Sequence, residues 1–249
     1  MHALWLAGVG VWSFVVAFVG GLLGLVLGNI RLPVFLAVGI DPAAAAGANI
    51  AVSGLAAAAG SAAHIRAGRV DWRLVRWMLL PSIAGALAGG YLATLLPGDV
   101  LRIVIGSALV LFGLDLLRRR GRPLPDPAPE PNLRAAVLVG AGVGLIGGLI
   151  GLILGTLRVP ALLRWVREEP SRVVGTNLVV GVAVGAAGLV GHLPGGIDWE
   201  LLVIGGAASI PGALLGSRYT GRLTAATLLR AIGIILVFSG AITIARGAA

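Results

Sequence analysis

The chain has 249 residues, of which 58% are hydrophobic and only 12% are charged. An ordinary soluble domain is about 45–50% apolar and about 25% charged, so this composition excludes a normal water-facing surface. The 40 glycines and 13 prolines follow no collagen repeat, which leaves a polytopic helical protein of the lipid bilayer. The absence of cysteine excludes disulfides, iron–sulfur clusters and a cysteine nucleophile.

All 19 basic residues are arginines, and with 10 acidic residues they give a net charge of +9. The arginines form short clusters between apolar segments, as in the cytoplasmic loops of membrane proteins. We therefore expect no nucleic-acid partner. No positively charged region precedes the first apolar segment, so a cleaved signal peptide is not expected either.

In chain order, the apolar segments have roughly the 20-residue length that crosses a bilayer. They lie near 4–28, 43–63, 74–96, 100–117, 135–155, 173–191, 201–217 and 226–245. Two shorter apolar pieces follow Pro33 and Pro160. The polar stretch 118–134 is rich in arginine and proline, which favours an extended linker. The predicted organisation is a first transmembrane repeat at 1–117, a cytoplasmic linker at 118–134 and a second transmembrane repeat at 135–249.

The two halves repeat each other. The sequence GGLLGLVLGNIRLP at 20–33 matches GGLIGLILGTLRVP at 147–160 with an offset of 127. Asn49 also matches Asn177 with an offset of 128. Internal duplication is common in secondary transporters, which bind their substrate between the repeats near the midplane of the membrane.

The arginine distribution favours inverted repeats. If all eight segments crossed the membrane, ten arginines would lie on one side and nine on the other. If the segments before Pro33 and Pro160 instead form re-entrant hairpins, fifteen lie on one side, as the positive-inside rule requires. These fifteen are Arg66, Arg69, Arg73, Arg76, Arg118, Arg119, Arg120, Arg122, Arg134, Arg164, Arg167, Arg172, Arg218, Arg222 and Arg230.

We therefore predict an all-α polytopic membrane protein of two inverted repeats. Each repeat has a broken, re-entrant helical hairpin and three transmembrane helices, and both termini lie outside. A parallel arrangement with eight crossings remains open.

Each predicted hairpin contains an arginine, in GNIRLP at 28–33 and GTLRVP at 155–160. Glycine readily ends a helix and proline is favoured at the first position of the next, so each motif predicts a broken helix with arginine in the break. An arginine at membrane depth costs at least ~2.5–3.5 kcal/mol on insertion scales and needs a partner. We infer a small-oxyanion site with Arg31 and Arg158 as a cationic clamp, aided by helix N-termini. In the alternative, both side chains reach an interface or bind backbone carbonyls.

Other polar residues repeat beside these arginines. The substrate-binding candidates are therefore Arg31, Arg158, Asn29, Thr156, Asn49, Asn177 and Thr176. The alternative for the asparagines and threonines is hydrogen bonding between helices. No metal cluster, nucleotide loop or catalytic triad is visible in the sequence, so we expect no metal, no cofactor and no enzymatic activity.

These residues resemble the sulfite exporter TauE/SafE family of membrane permeases. That family shows, in each half, a run like G-x-G-G-G-x-x-x-x-P and then a G-T-[SN] element. Here the runs are GLVLGNIRLP at 24–33 and GLILGTLRVP at 151–160, and the later elements are GAN at 47–49 and GTN at 175–177. The chain departs from the family at two glycines of each triplet, where Val26-Leu27 and Ile153-Leu154 stand.

The resemblance implies a permease that moves sulfite, sulfonates or related sulfur oxyanions across the inner membrane of a bacterium. The partners it implies are a small anion and the bilayer. A non-transporting membrane scaffold or assembly partner is the alternative function. A homo-oligomer, the direction of transport and the coupling ion are left open by the sequence.

Overall fold

The computed structural model describes residues 2–23, 25–37, 39–118, 127–128, 130–219 and 225–248. Within these ranges all regular structure is helical, which confirms the predicted all-α class. The helices are α1 His2–Leu23, α2 Gly28–Ala37, α3 Pro42–Arg66, α4 Trp72–Leu95, α5 Gly98–Arg118, α6 Leu133–Ile150, α7 Gly155–Ala161, α8 Pro170–His192, α9 Trp199–Arg218 and α10 Ala225–Ala248. A π-helical segment, Leu162–Val166, continues α7, and a 3₁₀ turn, Leu193–Gly195, follows α8.

Six of the described helices are long and apolar enough to cross a membrane, namely α1, α3, α4, α6, α8 and α9. The chain is therefore a multi-pass membrane protein. The prediction also counted six crossings, but it assigned α1 and α6 to re-entrant hairpins and counted 100–117 and 226–245 as crossings. Helices α1 and α6 are continuous over 22 and 18 residues, so the long arm of each predicted hairpin has the length of a crossing by itself. Helices α5 and α10, which contain 100–117 and 226–245, span 21 and 24 residues, so these two segments stay predicted crossings.

Each of these two long helices is followed by a short helix that doubles back along it. Trp12 of α1 lines the same cavity as Ile30 and Pro33 of α2. Val139 of α6 and Pro160 of α7 likewise line one groove. Among the described residues between the helices, 25–27 and 151–154 are not helical, and all but Leu25 are buried, as irregular backbone within a membrane must be.

The positions of the helix breaks correct the sequence prediction. Helices α2 and α7 begin at Gly28 and Gly155, so the two arginines lie inside short helices and not in the breaks. Pro33 likewise lies inside α2 and does not start a new helix. The chain reverses earlier because Gly151, with φ of 70°, ends α6 in the left-handed conformation.

The long helices pair across the two halves of the sequence. Helices α3 and α8 cross in antiparallel directions at Gly54 and Gly185, where a Cβ on Gly185 would lie 2.5 Å from Cα of Gly54. Helix α1 packs on α9, α6 packs on α4, and α5 packs on α10. Small residues at such crossings allow close backbone contact, which drives helix association in lipid.

Polar loops gather at one end of this bundle. The N–H of Asp71, which precedes α4, donates to Oγ1 of Thr176 in α8 at 3.0 Å. Arg73 forms an exposed ion pair with Glu130 at 3.6 Å. The N–H of Ala128 donates to the carbonyl of Arg167 at 3.0 Å. The end of the predicted linker therefore contacts the loop before α8, while its residues 119–126 and 129 lie outside the described part of the chain.

Candidate functional site

Arg31 lies in a polar cluster formed by α2 and α3 of the first half and α9 of the second half. Its side chain is 1% exposed, and all three of its nitrogens donate hydrogen bonds. Nε donates to Oδ1 of Asn49 at 3.1 Å, and Nη2 donates to Oγ of Ser53 at 3.1 Å, both on α3. Nη1 donates to Oγ of Ser209 on α9 at 2.9 Å. Every acceptor is neutral, so the cluster satisfies the donors but does not neutralise the charge.

Asn49 connects this cluster to the second half. Besides accepting from Arg31, it donates from Nδ2 to the carbonyl of Gly151 at 2.8 Å. Gly151 lies at the reversal between α6 and α7, and a Cβ at this position would overlap Ala46 of α3. The helix break at Gly151 in the second half is therefore hydrogen-bonded to α3 of the first half.

The counterpart arginine in the second half has no such partners. Arg158 is 0% exposed, and none of its three nitrogens makes a hydrogen bond within the described structure. Both side-chain amide atoms of Asn177 and the hydroxyl of Ser82 are also buried without a partner. The second half therefore contains a buried cation with unused donors and an unused amide, and α4 of the first half contains an unused hydroxyl.

The local geometry directs Arg158 towards Asn177. Gly155 and Arg158 are three residues apart in α7, so they share one helix face. A Cβ on Gly155 would lie 3.0 Å from Nδ2 of Asn177. Gly28 has the same relation to Asn49 in the first half, where a Cβ would lie 3.2 Å from Nδ2. The face of α7 that carries Arg158 therefore packs on α8. In the first half, the face of α2 that carries Arg31 packs on α3 in the same way.

The two arginines lie in separate clusters and do not share one set of contacts. Arg31 binds α3 and α9, and Arg158 lies on α7 against α8, with no hydrogen bond between the two side chains. Arg31 also lines a narrow cleft with Gly20, His64 and Ser217. The clamp of two arginines on a single anion stays a prediction, because two guanidinium groups have only donors and would be linked through a bound anion.

The remaining predicted residues are all buried. Asn29 is 5% exposed with an unpartnered Oδ1, and Thr156 is 7% exposed. Thr176 lies beside Asn177 in sequence, but its hydroxyl accepts from the N–H of Asp71 at the end of the bundle. Among the predicted residues, Arg31 therefore contacts Asn49 directly. In the second half, it is Gly155, on the same helix as Arg158, that lies beside Asn177.

Sequence reasoning missed Ser53 and Ser209, which accept from Arg31, and Ser82, the counterpart of Ser209. Ser53 has no counterpart serine in the second half, where Gly181 stands, so the repeat does not mark it as a site residue. Ser209 and Ser82 match each other at an offset of 127, beside Pro211 and Pro81. That repeated serine near a proline was the signal that could have identified them.

One buried carboxyl group lies outside the membrane-length helices. Burial raises the pKa of Glu168, and the nearby charge of Asp71 raises it further. The N–H of Glu169, which donates to Oε1 at 3.0 Å, and the charge of Arg172 oppose this rise in the pKa of Glu168. No group of three His, Cys, Asp or Glu residues that could hold a metal ion occurs among the described residues.

Comparison with known proteins assigns the family. The family profile described as sulfite exporter TauE/SafE matches residues 9–243, which is nearly the whole chain. The chain belongs to the sulfite exporter TauE/SafE family. The resemblance inferred from the repeated hairpin motifs is confirmed by this match.

Relatives of this TauE/SafE chain carry transporter names. A probable membrane transporter protein of Xylella fastidiosa is 30% identical over 243 residues, covering 88% of this chain and 89% of that protein. The probable membrane transporter protein YjnA of Bacillus subtilis is 28% identical over 240 residues, covering 90% and 94%. The probable membrane transporter protein y4hK of Sinorhizobium fredii is 29% identical over 211 residues, covering 81% and 83%. No solved structure matches the chain significantly. Family and relatives together support a membrane transporter.

Proposed function

We propose that this protein is a permease that moves a small sulfur-containing anion, such as sulfite, a sulfonate or a related organosulfur oxyanion, across the inner membrane of a bacterium. The substrate binds between the two repeats near the midplane. The observation that carries this proposal is Arg158, a completely buried guanidinium whose three nitrogens have no partner among the described residues.

A buried cation without a partner is costly, because it loses its hydration and gains no charged hydrogen bonds in return. An anion that brings several oxygens supplies both the opposite charge and the missing acceptors. Guanidinium recognises such groups well, because its planar donors match the oxygens of an oxyanion in pairs. The family description adds sulfite as the expected kind of anion.

We further propose that the two halves are inverted repeats. Helix α3 runs antiparallel to α8, its counterpart in the other half, and α5 meets α10 through Gly106 and Gly240 near the middle of each helix. Helix α1 packs on α9, and their counterparts in the opposite halves, α6 and α4, pack on each other in the same way. In this arrangement the arginine-rich end of the bundle faces the cytoplasm, as the positive-inside rule favours.

The proposed substrate path uses the residues that repeat around the breaks. They are Arg31, Arg158, Asn29, Thr156, Asn49, Asn177 and Thr176. The breaks lie against the helix of the opposite half, as the bond from Asn49 to Gly151 illustrates. Movement of one half against the other would alter these contacts and change which side of the membrane reaches the site.

Flux into liposomes tests the proposed function. We expect purified protein to carry at least one of sulfite, sulfate, thiosulfate, taurine and sulfoacetate with saturable kinetics. The variant Arg158→Ala should abolish that flux, while Arg76→Ala, which removes an exposed arginine at the end of the bundle, should leave it near the wild-type rate. Absence of both flux and ligand-dependent thermal stabilisation for the wild-type protein would contradict a transporter and favour a membrane scaffold.

A further inference from the structure

The two buried arginines differ in a way that the repeated motifs do not reveal. Arg31 donates to three oxygens of its own protein, from Asn49, Ser53 and Ser209. Arg158 donates to none among the described residues. The sequence motifs around the two arginines are nearly identical, so the difference must come from the residues that face them.

One substitution between the repeats accounts for part of this difference. Ser53 lies four residues after Asn49, and the corresponding position four residues after Asn177 is Gly181. The second half therefore has no hydroxyl where Ser53 accepts from Arg31. A Cβ on Gly181 would lie 3.2 Å from Cγ2 of Ile153 and 3.6 Å from Cβ of Ala57, so a small side chain fits after a slight shift.

The other two acceptors have counterparts, one in α8 of the second half and one in α4 of the first half, but these counterparts are not used. Asn177 corresponds to Asn49, and Ser82 corresponds to Ser209. Both side chains are 0% exposed and unpartnered. Buried polar groups in folded proteins are almost always hydrogen-bonded, so several unsatisfied groups at the positions equivalent to the Arg31 cluster indicate that a polar ligand belongs there.

We propose that Arg158, with Asn177 and Ser82, forms the anion-binding part of the site in this conformation, and that Arg31 does not bind the anion because each of its nitrogens already donates to an oxygen of the protein. This inference rests on the proposed function, because it assigns the binding of the transported anion to one of the two arginines. Arg158 contributes the charge, Asn177 Nδ2 and the Ser82 hydroxyl contribute neutral donors, and Gly181 supplies no hydroxyl that would compete with the ligand for the guanidinium.

The Arg31 cluster also indicates the shape of the ligand. Its three acceptor oxygens lie 2.9–3.1 Å from the three nitrogens of the guanidinium. An anion that replaces them at Arg158 must present several oxygens from a compact centre, which is the form of a sulfite ion or a sulfonate head group. A monatomic anion offers one acceptor centre, so it cannot pair two separate oxygens with two nitrogens of the guanidinium as a sulfite ion or a sulfonate head group can.

Reciprocal exchange of the differing position tests the inference. Gly181→Ser supplies the second half with the hydroxyl that saturates Arg31 in the first half, and we expect it to weaken sulfite binding about tenfold or more in calorimetry on detergent-solubilised protein. The matched variant Ser53→Gly alters only the surroundings of Arg31, and its dissociation constant for sulfite should stay within about twofold of the wild-type value. The wild-type protein should bind one sulfite per chain.

A second variant keeps the test decisive if Gly181→Ser folds poorly. Asn177→Ala removes an amide that makes no hydrogen bond in the structure, so it should melt near the wild-type temperature while losing about tenfold in sulfite affinity. Wild-type affinity in both second-half variants, or loss of binding in Ser53→Gly alone, would overturn this inference while leaving the permease proposal intact. Failure of the wild-type protein to bind or carry any anion of the liposome panel would overturn both.

Discussion

Asn49 of α3 donates a hydrogen bond of 2.8 Å to the backbone carbonyl of Gly151, at the reversal between α6 and α7. The same side chain accepts from Nε of Arg31. One residue thus links the buried arginine of the first half to the helix break of the second. Its counterpart, Asn177, makes neither bond.

This contrast predicts unequal effects of the same substitution in the two halves. Asn49→Ala leaves Nε of Arg31 and the carbonyl of Gly151 without partners, so we expect a loss of about 1–3 kcal/mol for each buried group, seen as a clearly lower melting temperature in detergent. Asn177→Ala should change the melting temperature little. Equal destabilisation by the two variants would show that Asn177 has partners the structure does not contain.

The reversal at Gly151 depends on glycine for two reasons. Its φ of 70° costs other residues about 1–2 kcal/mol, and a Cβ would overlap Ala46 of α3. We expect Gly151→Ala to lower thermal stability and flux together. Gly142→Ala is the control, because Gly142 lies within helical α6 and a Cβ there would meet no atom within 4 Å. A stable, active Gly151→Ala protein would contradict this account of the reversal.

The crossing of α3 and α8 also requires glycine. A Cβ on Gly185 would lie 2.5 Å from Cα of Gly54, so Gly185→Ala must push the two central helices apart. Overpacking of this kind costs roughly 1–3 kcal/mol, and we expect a lower melting temperature in detergent. Gly60→Ala provides the comparison, since its Cβ would make an ordinary 3.7 Å contact with Leu178. The prediction fails if the two alanine variants melt alike.

Glu168 predicts a dependence of stability on pH. Burial and the charge of Asp71 raise its pKa, so the folded protein retains this proton to a higher pH than the unfolded chain does. The stabilising contribution is therefore present in acid and is lost as the pH rises through the folded-state pKa of Glu168. Glu168→Gln mimics the protonated form and should raise the melting temperature at about pH 8 more than at about pH 5.

The exposed Glu130, whose ion pair with Arg73 is 3.6 Å long, provides the control for this measurement. Exposed pairs of this kind contribute about 0–1 kcal/mol, so Glu130→Gln should alter the melting temperature little at either pH. A melting profile of Glu168→Gln that runs parallel to that of the wild-type protein across the pH range would exclude a raised pKa at Glu168.

The sequence predicted the helical class, the doubling back of short helices and the burial of both arginines, because these follow from composition and from glycine, arginine and proline in repeated motifs. The sequence prediction misplaced the helix breaks. Helix α2 begins at Gly28 and contains Pro33 at its sixth position, so the proline does not mark the start of the helix. The prediction also expected symmetric roles for Arg31 and Arg158. The difference between them depends on Ser53 and Gly181, whose contacts only the folded chain defines.

The most direct measurement is the location of a bound anion. Selenite has the shape of sulfite, and its selenium can be located by anomalous diffraction from crystals of the protein soaked with it. We expect the selenium peak within hydrogen-bonding distance of Arg158, with contacts to Asn177 and Ser82 and no peak at Arg31. A peak at Arg31 with none at Arg158, or peaks confined to arginines on the surface, would contradict the central claim that the unpartnered guanidinium binds the transported anion.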